Sequence, residues 1–253
     1  MISDSLRREI GRAIRSLARS PGFTLIVVLT LALGIGATTA IFTMLDRVVL
    51  HALPFADSDR LVWLDSPTPG VKPDSRWGLS VGGYFYFKNN ARTLEDIAVM
   101  MPSRVTITGN RVAERIPAVA VSGSIFRVLR LHPMLGRALT QADNLPNAPH
   151  VVLVSYNYWT TRLNSDPHVI GSVITVNATP SQIVGVMPED ATIPDVTSPN
   201  VDLWRPARLD PSAPPVNSHY LAVVARLAPG ATLTSAQTEL SQITKRFPEV
   251  MPT

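Results

Sequence analysis

Residues 23–45 read FTLIVVLTLALGIGATTAIFTML, and this stretch decides how the rest of the chain is organised. None of its side chains carries a charge. As an α-helix it is about 35 Å long, since a helix rises ~1.5 Å per residue. That length crosses the ~30 Å hydrocarbon core of a bilayer with some tilt. A cleaved signal peptide is the alternative, but its apolar region usually has only about 7–15 residues. We therefore expect an uncleaved anchor and assign residues 21–50 to a transmembrane helix.

Basic residues precede this anchor. Residues 1–20 hold five arginines against two acidic residues, whereas residues 46–253 hold 18 basic and 17 acidic side chains. This asymmetry predicts a cytoplasmic N-terminus and places residues 46–253 on the extracytoplasmic side. Apolar residues at helical spacing predict that residues 1–20 form an amphipathic helix on the cytoplasmic leaflet; a plain basic flank is the alternative. A basic tail before an apolar run is not a basic folded face, so nucleic-acid binding is excluded. The predicted membrane-surface residues are Arg7, Arg8, Arg12, Arg15 and Arg19.

Small residues recur within the anchor. Ala32, Gly36 and Ala40 follow one another at intervals of four, with Gly34 nearby. Such spacing allows a second helix to approach closely, so these four residues are the predicted helix-packing positions. The pattern also occurs by chance in many membrane spans.

The region after the anchor has the pattern of an α+β fold. Short apolar or alternating runs predict strands at 61–64, 105–109, 116–121, 151–154, 173–176, 182–186 and 220–227. Apolar spacings of three and four predict helices at 82–99 (with a break near Ala91), 124–129, 156–163 and 233–247. Ser122 and Ser155 are predicted N-caps, and Thr234 with Gln237 a capping box. A strand followed by a crossover helix should lead into a parallel strand, but the sequence stops within six residues of the last predicted helix, so we expect the fold to lack its last piece.

The sequence offers little for catalysis. It has no cysteine, which excludes thiol chemistry and cysteine-ligated metals, and it lacks the Gly-x-x-x-x-Gly-Lys loop that binds nucleotides. The five histidines are scattered, with no His-x-x-x-His pair. Ser155 follows an apolar strand, but without the glycines of a nucleophile elbow it is better explained as a helix cap. We therefore expect no catalytic residue, no cofactor and no metal; an anchored hydrolase using Ser155 is the remaining enzymatic alternative.

An ordered series of short motifs runs along nearly the whole chain. The anchor region contributes Arg15-Ser16-Leu17-Ala18-Arg19-Ser20-Pro21-Gly22-Phe23-Thr24, and later stretches contribute Pro133-Met134-Leu135-Gly136-Arg137, Ile183-Val184-Gly185-Val186-Met187-Pro188 and Ala225-Arg226-Leu227. In order and spacing the series resembles the MacB/FtsX-type ABC transporter permeases, in particular their orphan-permease branch. Two positions depart from the family: Arg130 stands where glycine is commoner, so its turn should avoid the left-handed conformation, and Asn177-Ala178 replaces Asn-Gly, which disfavours a two-residue hairpin turn.

The resemblance implies an architecture and partners. Residues 51–253 would form a MacB-like periplasmic core domain with two lobes, a βαβ porter-like lobe (55–103 and 216–253) and an inserted, mostly β lobe (104–215). The chain would lie in the bacterial inner membrane as a single-pass permease component that transmits ATP-driven motion for export. Its partners would be the lipid bilayer, a separate ABC ATPase, further permease helices or a second copy, and a periplasmic adaptor. Family members continue into three more membrane helices, so we expect this chain to be C-terminally truncated or one part of a split permease. The alternative function is a signal-anchored binding or sensor domain.

Overall fold

The structure, a computed structural model, describes residues 20–45, 55–65, 78–108, 112–194, 201–212, 214–216 and 218–250. The chain divides into two compact units, Met1–Ala52 and Leu53–Thr253. The predicted basic helix 1–20, with its five arginines, falls almost entirely outside the described residues.

Helix α1 spans Pro21–Leu45 and matches the apolar stretch that opened the sequence analysis. Proline suits the first helical position, because its missing N–H would have no partner there. The described side chains are mostly exposed, and residues 21–39 are long and apolar enough to cross a membrane by length and composition. Thr30 and Thr38 donate their hydroxyl protons to the carbonyls four residues earlier, which removes two polar groups from the helix surface.

The second unit is built on a nine-stranded sheet, counted over the described residues. Eight strands lie in the spatial order β1-β9-β2-β3-β8-β5-β7-β4, and β6 pairs with both β2 and β7. The strands are β1 (Leu61–Leu64), β2 (Leu94–Thr108), β3 (Glu114–Val121), β4 (Leu135–Gly136), β5 (Val151–Val154), β6 (Val173–Val176), β7 (Thr179–Val186), β8 (Leu203–Pro206) and β9 (Ala222–Leu227).

Four helices accompany this sheet: α2 (Val81–Asn90), α3 (Ile125–Leu129), α4 (Tyr156–Arg162) and α5 (Leu233–Val250). Strand β9 lies between β1 and β2 and is antiparallel to both, so β1, α2 and β2 form a split βαβ unit. The predicted α+β class with one N-terminal apolar helix is therefore confirmed. The lobe boundaries stay a prediction, and β2 runs unbroken across the one at residues 103 and 104.

The apolar core occupies both faces of the sheet. On one face, Ala98 of β2 and Val224 of β9 join the residues of α3 in one buried cluster. On the other face, their neighbours Val99 and Val223 pack with α2 and α5. A third cluster, around α4, includes Leu203 of β8. Because both faces are covered, residues 97–101 of β2 and residues 222–225 of β9 are continuous apolar runs rather than alternating patterns.

That double burial explains the main error of the sequence analysis. The predicted helix 82–99 ends at Asn90, and residues 94–99 belong to β2. Leu94 and Ile97 are three residues apart, as on a helix, but a bulge between Leu94 and Asp96 shifts the strand and puts both on one face. Spacing alone could not separate the two alternatives.

Two predicted caps were also wrong, for reasons of tertiary contact. The Ser122 hydroxyl accepts a hydrogen bond from the N–H of Val99 on the neighbouring strand, and the N-cap of α3 is Ser124. The capping box of α5 lies two residues earlier than expected, where the Thr232 and Ser235 side chains accept from each other's N–H. The Ser155 cap is confirmed, because its Oγ accepts from the N–H of Tyr158 at 3.0 Å.

Both expectations drawn from the departures from the family pattern were wrong: the turn at Arg130 is left-handed, and a two-residue hairpin turn forms at Asn177-Ala178. Arg130 adopts the left-handed conformation, with φ of 55°. Asn177 and Ala178 form a two-residue turn between β6 and β7, with φ values of 48° and 66°. The Asn177 side chain accepts from the N–H of Thr106, and its own N–H donates to the carbonyl of Thr106. These bonds to β2 hold the turn without a glycine.

Candidate coupling site around Arg226

The predicted helix-packing residues do not all share one face of α1. Ala32 and Gly36 lie one turn apart, whereas Gly34 is about 160° around the helix from Gly36 at ~100° per residue. A Cβ atom at Gly34 or Gly36 would meet nothing within 4 Å, so both sides are open to a partner. The side chain of Ala40 lies outside those described. The role of these residues in helix packing stays a prediction.

The sequence analysis quoted Arg226 as part of a motif but gave it no role. It lies near the end of β9, in the run Val223-Val224-Ala225-Arg226-Leu227. Strand alternation places its side chain on the same face as Val224, beneath α3. The residue has no exposed surface. An arginine buried among apolar side chains must satisfy its five N–H donors locally, because a buried unpaired charge is costly.

Three backbone carbonyls give each of its three side-chain nitrogen atoms a partner. The Nε of Arg226 donates to the carbonyl of Val128 at 2.8 Å. Its Nη1 and Nη2 donate to the carbonyls of Asp57 and Ala56, both at 2.9 Å. Val128 lies in the last turn of α3, where carbonyls lack helical partners and carry the negative end of the helix dipole. One side chain therefore joins β9, α3 and the segment at residues 56–57.

Charged side chains surround this centre. Asp57 pairs with Arg130 and, at 3.8 Å, with Arg60. Arg60 also pairs with Glu95 and donates from its Nε to the carbonyl of Leu227 at 3.0 Å. Burial lowers the pKa of Arg226, as do the positive charges of Arg130 and Arg60, while Glu95 and Asp57 act in the opposite direction. We call the set Asp57, Arg60, Glu95, Arg130 and Arg226 the arginine clamp.

The arginine clamp includes two strained backbone positions. Asp57 and Arg130 have φ values of 48° and 55°, in the region that favours glycine. A left-handed backbone conformation costs a non-glycine residue about 1–2 kcal/mol. The ion pair between Asp57 and Arg130 therefore stabilises two residues whose backbone conformation is unfavourable. The sequence signal was available: a single charged residue within an apolar strand. This signal does not identify the partners of Arg226, because they are backbone carbonyls, which every residue has.

A second link ties α5 to the turn before β2. The Glu239 carboxylate accepts from the N–H of Arg92 at 3.0 Å, from the N–H of Thr93 at 2.8 Å, and from the Thr93 hydroxyl at 2.5 Å. Burial alone would raise the pKa of Glu239, but these hydrogen bonds and the charge of Arg92 lower it below its usual value. The carboxylate therefore stays ionised and anchors the helix.

The residues considered for catalysis are not brought together. Ser155 serves as a helix cap, and its Oγ lies 3.4 Å from Asp202, with no histidine in that contact. Among the described residues no group of three histidine, cysteine or acidic side chains could hold a metal ion. An apolar groove of about 420 Å³ lies between β1 and α5 and is lined by Trp63, Leu79 and Leu240 among others.

Comparison with known proteins identifies the family of this chain. The MacB-like periplasmic core domain family matches residues 24–243. The chain belongs to this family. A comparison with curated proteins by sequence found no match. The family membership confirms the resemblance stated from the motif series.

Solved structures share the fold of this MacB-like chain. The periplasmic region of MacB from Actinobacillus actinomycetemcomitans is 16% identical, with a TM-score of 0.54 over 73% of this chain and 82% of that one. A domain of a protein described as a permease, from Porphyromonas gingivalis, is 17% identical, with a TM-score of 0.56 over 78% and 86%. The extracellular domain of the ABC-type transporter YknZ from Gram-positive bacteria is 10% identical, with a TM-score of 0.53 over 75% and 94%.

Proposed function

We propose that this chain is a membrane-anchored permease component of a MacB/FtsX-type ABC transporter, and that it transmits ATP-driven motion to the extracytoplasmic side. Family membership over residues 24–243 carries the proposal, together with the apolar helix α1 at the N-terminal end of the matched region. The proposal includes a separate ABC ATPase, further permease helices or a second copy of the chain, and a periplasmic adaptor as partners. The chain itself would perform no covalent chemistry.

The arginine clamp fits a role in transmission. Residues 56–60 come soon after α1 along the chain, and Arg226 holds the backbone of two of them against β9 and α3. A segment held only by apolar contacts could slide, whereas two charge-assisted hydrogen bonds from one guanidinium fix its position and direction. Displacement of residues 56–57 would therefore be passed to the sheet rather than absorbed locally.

Labelling of single cysteines tests the orientation. The native chain has no cysteine, so Ser3→Cys and Asn147→Cys each introduce a unique thiol. In intact spheroplasts, a membrane-impermeant maleimide should label Asn147→Cys fully and Ser3→Cys only after lysis. Labelling of Ser3→Cys before lysis, or protection of Asn147→Cys, would overturn the proposed topology.

Helix association tests the permease role. Gly36→Leu should reduce crosslinking of α1 to a partner helix at least severalfold while insertion is unchanged, because the added side chain prevents close approach. Gly34→Leu, on the other side of α1, is the matched comparison. Loss in either variant supports a packed helix and identifies its face; equal crosslinking in both variants and the native chain contradicts it. Copurification of the native chain with an ABC ATPase subunit from the same organism tests the remaining partner.

A further inference from the structure

A polar cavity of about 220 Å³ lies away from the arginine clamp, at the end of β8. The turn between β6 and β7 and the residue before β5 complete its walls. Its polar lining residues are His150, Asn177, Thr179, Ser181, Arg205 and Arg208. Drug-sized ligands occupy about 300–1,000 Å³, so this cavity suits a smaller molecule.

Arg205 lines this cavity, and one of its donors lacks a partner in the described part of the chain. Its Nε is buried and has no hydrogen-bond partner among the described residues. Burial lowers the pKa of Arg205, and the positive charge of Arg208 lowers it further. A buried donor without a partner destabilises the folded chain, and more so when it is charged. The strand β8 nevertheless places a guanidinium here, where an apolar residue would cost less.

Arg208 is held beside it by neutral groups. Its Nη2 donates to the carbonyls of Ala148 and Pro149 at 2.7 and 3.0 Å. Its backbone is left-handed, with φ of 54°, and the Asn144 side chain accepts from the N–H of Ala207 and Arg208 to support that conformation. These contacts fix the position of the guanidinium without cancelling its charge. Over the described part of the chain, neither arginine forms an ion pair with a carboxylate.

We infer that this cavity binds an oxyanion, the phosphate or carboxylate group of a small molecule, between Arg205 and Arg208. The Arg205 guanidinium presents parallel N–H donors that match two oxygen atoms of such a group. The imidazole of His150 and the hydroxyl of Thr179 supply further polar contacts at the rim. The bound group would neutralise two adjacent positive charges that line the cavity. The inference is independent of the proposed transport role.

Ligand titration of the full-length chain in detergent tests this site. Sodium phosphate and sodium acetate are titrated separately at pH 7, with chloride replaced to keep the ionic strength constant, and binding is followed by calorimetry. The native chain should bind at least one of the two anions saturably. Arg205→Met should reduce that affinity at least tenfold, because a charge-assisted bidentate contact is lost. Arg115→Met, which removes an exposed arginine elsewhere, should bind as the native chain does.

The two anions and a second measurement keep the inference testable. Binding of phosphate alone identifies a phosphate ligand, and binding of acetate identifies a carboxylate. Without anion, Arg205→Met should be at least as stable to urea as the native chain, since an unpaired buried charge is removed. Arg205→Lys keeps the positive charge but loses the planar guanidinium, so its anion affinity should lie between those of the native chain and Arg205→Met. It replaces Arg205→Met in the test if that variant does not fold. Binding of neither anion, or equal affinity in the native chain and the Arg205 variants, would overturn the inference.

Discussion

Replacement of Arg226 by methionine tests the arginine clamp directly. Methionine keeps the unbranched apolar stem of the side chain but removes the guanidinium and every donor. The carbonyls of Val128, Asp57 and Ala56 would each lose a hydrogen bond inside the protein. At about 1–3 kcal/mol for each unsatisfied carbonyl, the gross loss is about 3–9 kcal/mol. Removal of a buried charge offsets part of it, so we expect a net destabilisation of about 3–5 kcal/mol.

Urea unfolding of the full-length chain in detergent measures this loss. Tryptophan fluorescence is a suitable signal because Trp204 is fully buried in the same core cluster as Val128. Arg226→Lys should be intermediate, since an ammonium group is compact and cannot reach three carbonyls that a planar fork spans. Arg115→Met is the control for removal of an exposed arginine and should change stability by less than about 0.5 kcal/mol.

A small effect would refute the reasoning. If Arg226→Met were destabilised by less than about 1 kcal/mol, the three hydrogen bonds would contribute little beyond the apolar stem, and residues 56–57 would not depend on them. A loss equal to that of Arg115→Met would have the same meaning. If Arg226→Met fails to fold, the intermediate loss expected for Arg226→Lys still separates the two outcomes.

Two further variants test local features. Ala178→Gly should stabilise the chain by about 0.5–1 kcal/mol in urea unfolding, because Ala178 has φ of 66° and glycine relieves more strain than it costs in chain entropy; Ala178→Val should have the opposite sign, and equal midpoints would contradict the argument. Asp143→Asn tests a pH dependence. Burial alone would raise the pKa of Asp143, but hydrogen bonds from Arg137 and Thr140 lower it below its ordinary value of 3.8. The native chain should therefore be more stable than Asp143→Asn above pH 3.8, and its advantage should shrink as the pH falls toward the lower folded-state pKa; an advantage that is the same at pH 7 and at pH 2 would contradict this assignment.

The sequence predicts most of the order of helices and strands, because turn-forming residues mark the ends of many of them. The apolar stretch 23–45 and the runs around Val151–Val154 and Val173–Val176 each carry a clear pattern bounded by turn residues. Prediction failed at residues 91–99, where burial on both faces of β2 removes the alternation that marks a strand. It failed again at Ser122, which is adjacent to a helix in sequence but bonded to a neighbouring strand.

The candidate sites were beyond sequence reasoning for a different reason. The partners of Arg226 and Arg208 are backbone carbonyls, which every residue carries, so no side-chain motif marks them. The cavity at Arg205 joins residues 150, 177–181 and 205–208, and only the order of strands in the sheet brings them together. Long-range pairing decides both sites, whereas local propensity decides neither.

Strand β2 has a mechanical consequence. Its 15 residues span about 50 Å at ~3.3 Å each, and it pairs with β9 near its start and with β3 and β6 further along. A hinge within it would break ladder bonds to at least one neighbour at every bend. We therefore expect the two ends of β2 to move together, so that a displacement of one end rotates the whole strand and the strands paired with it.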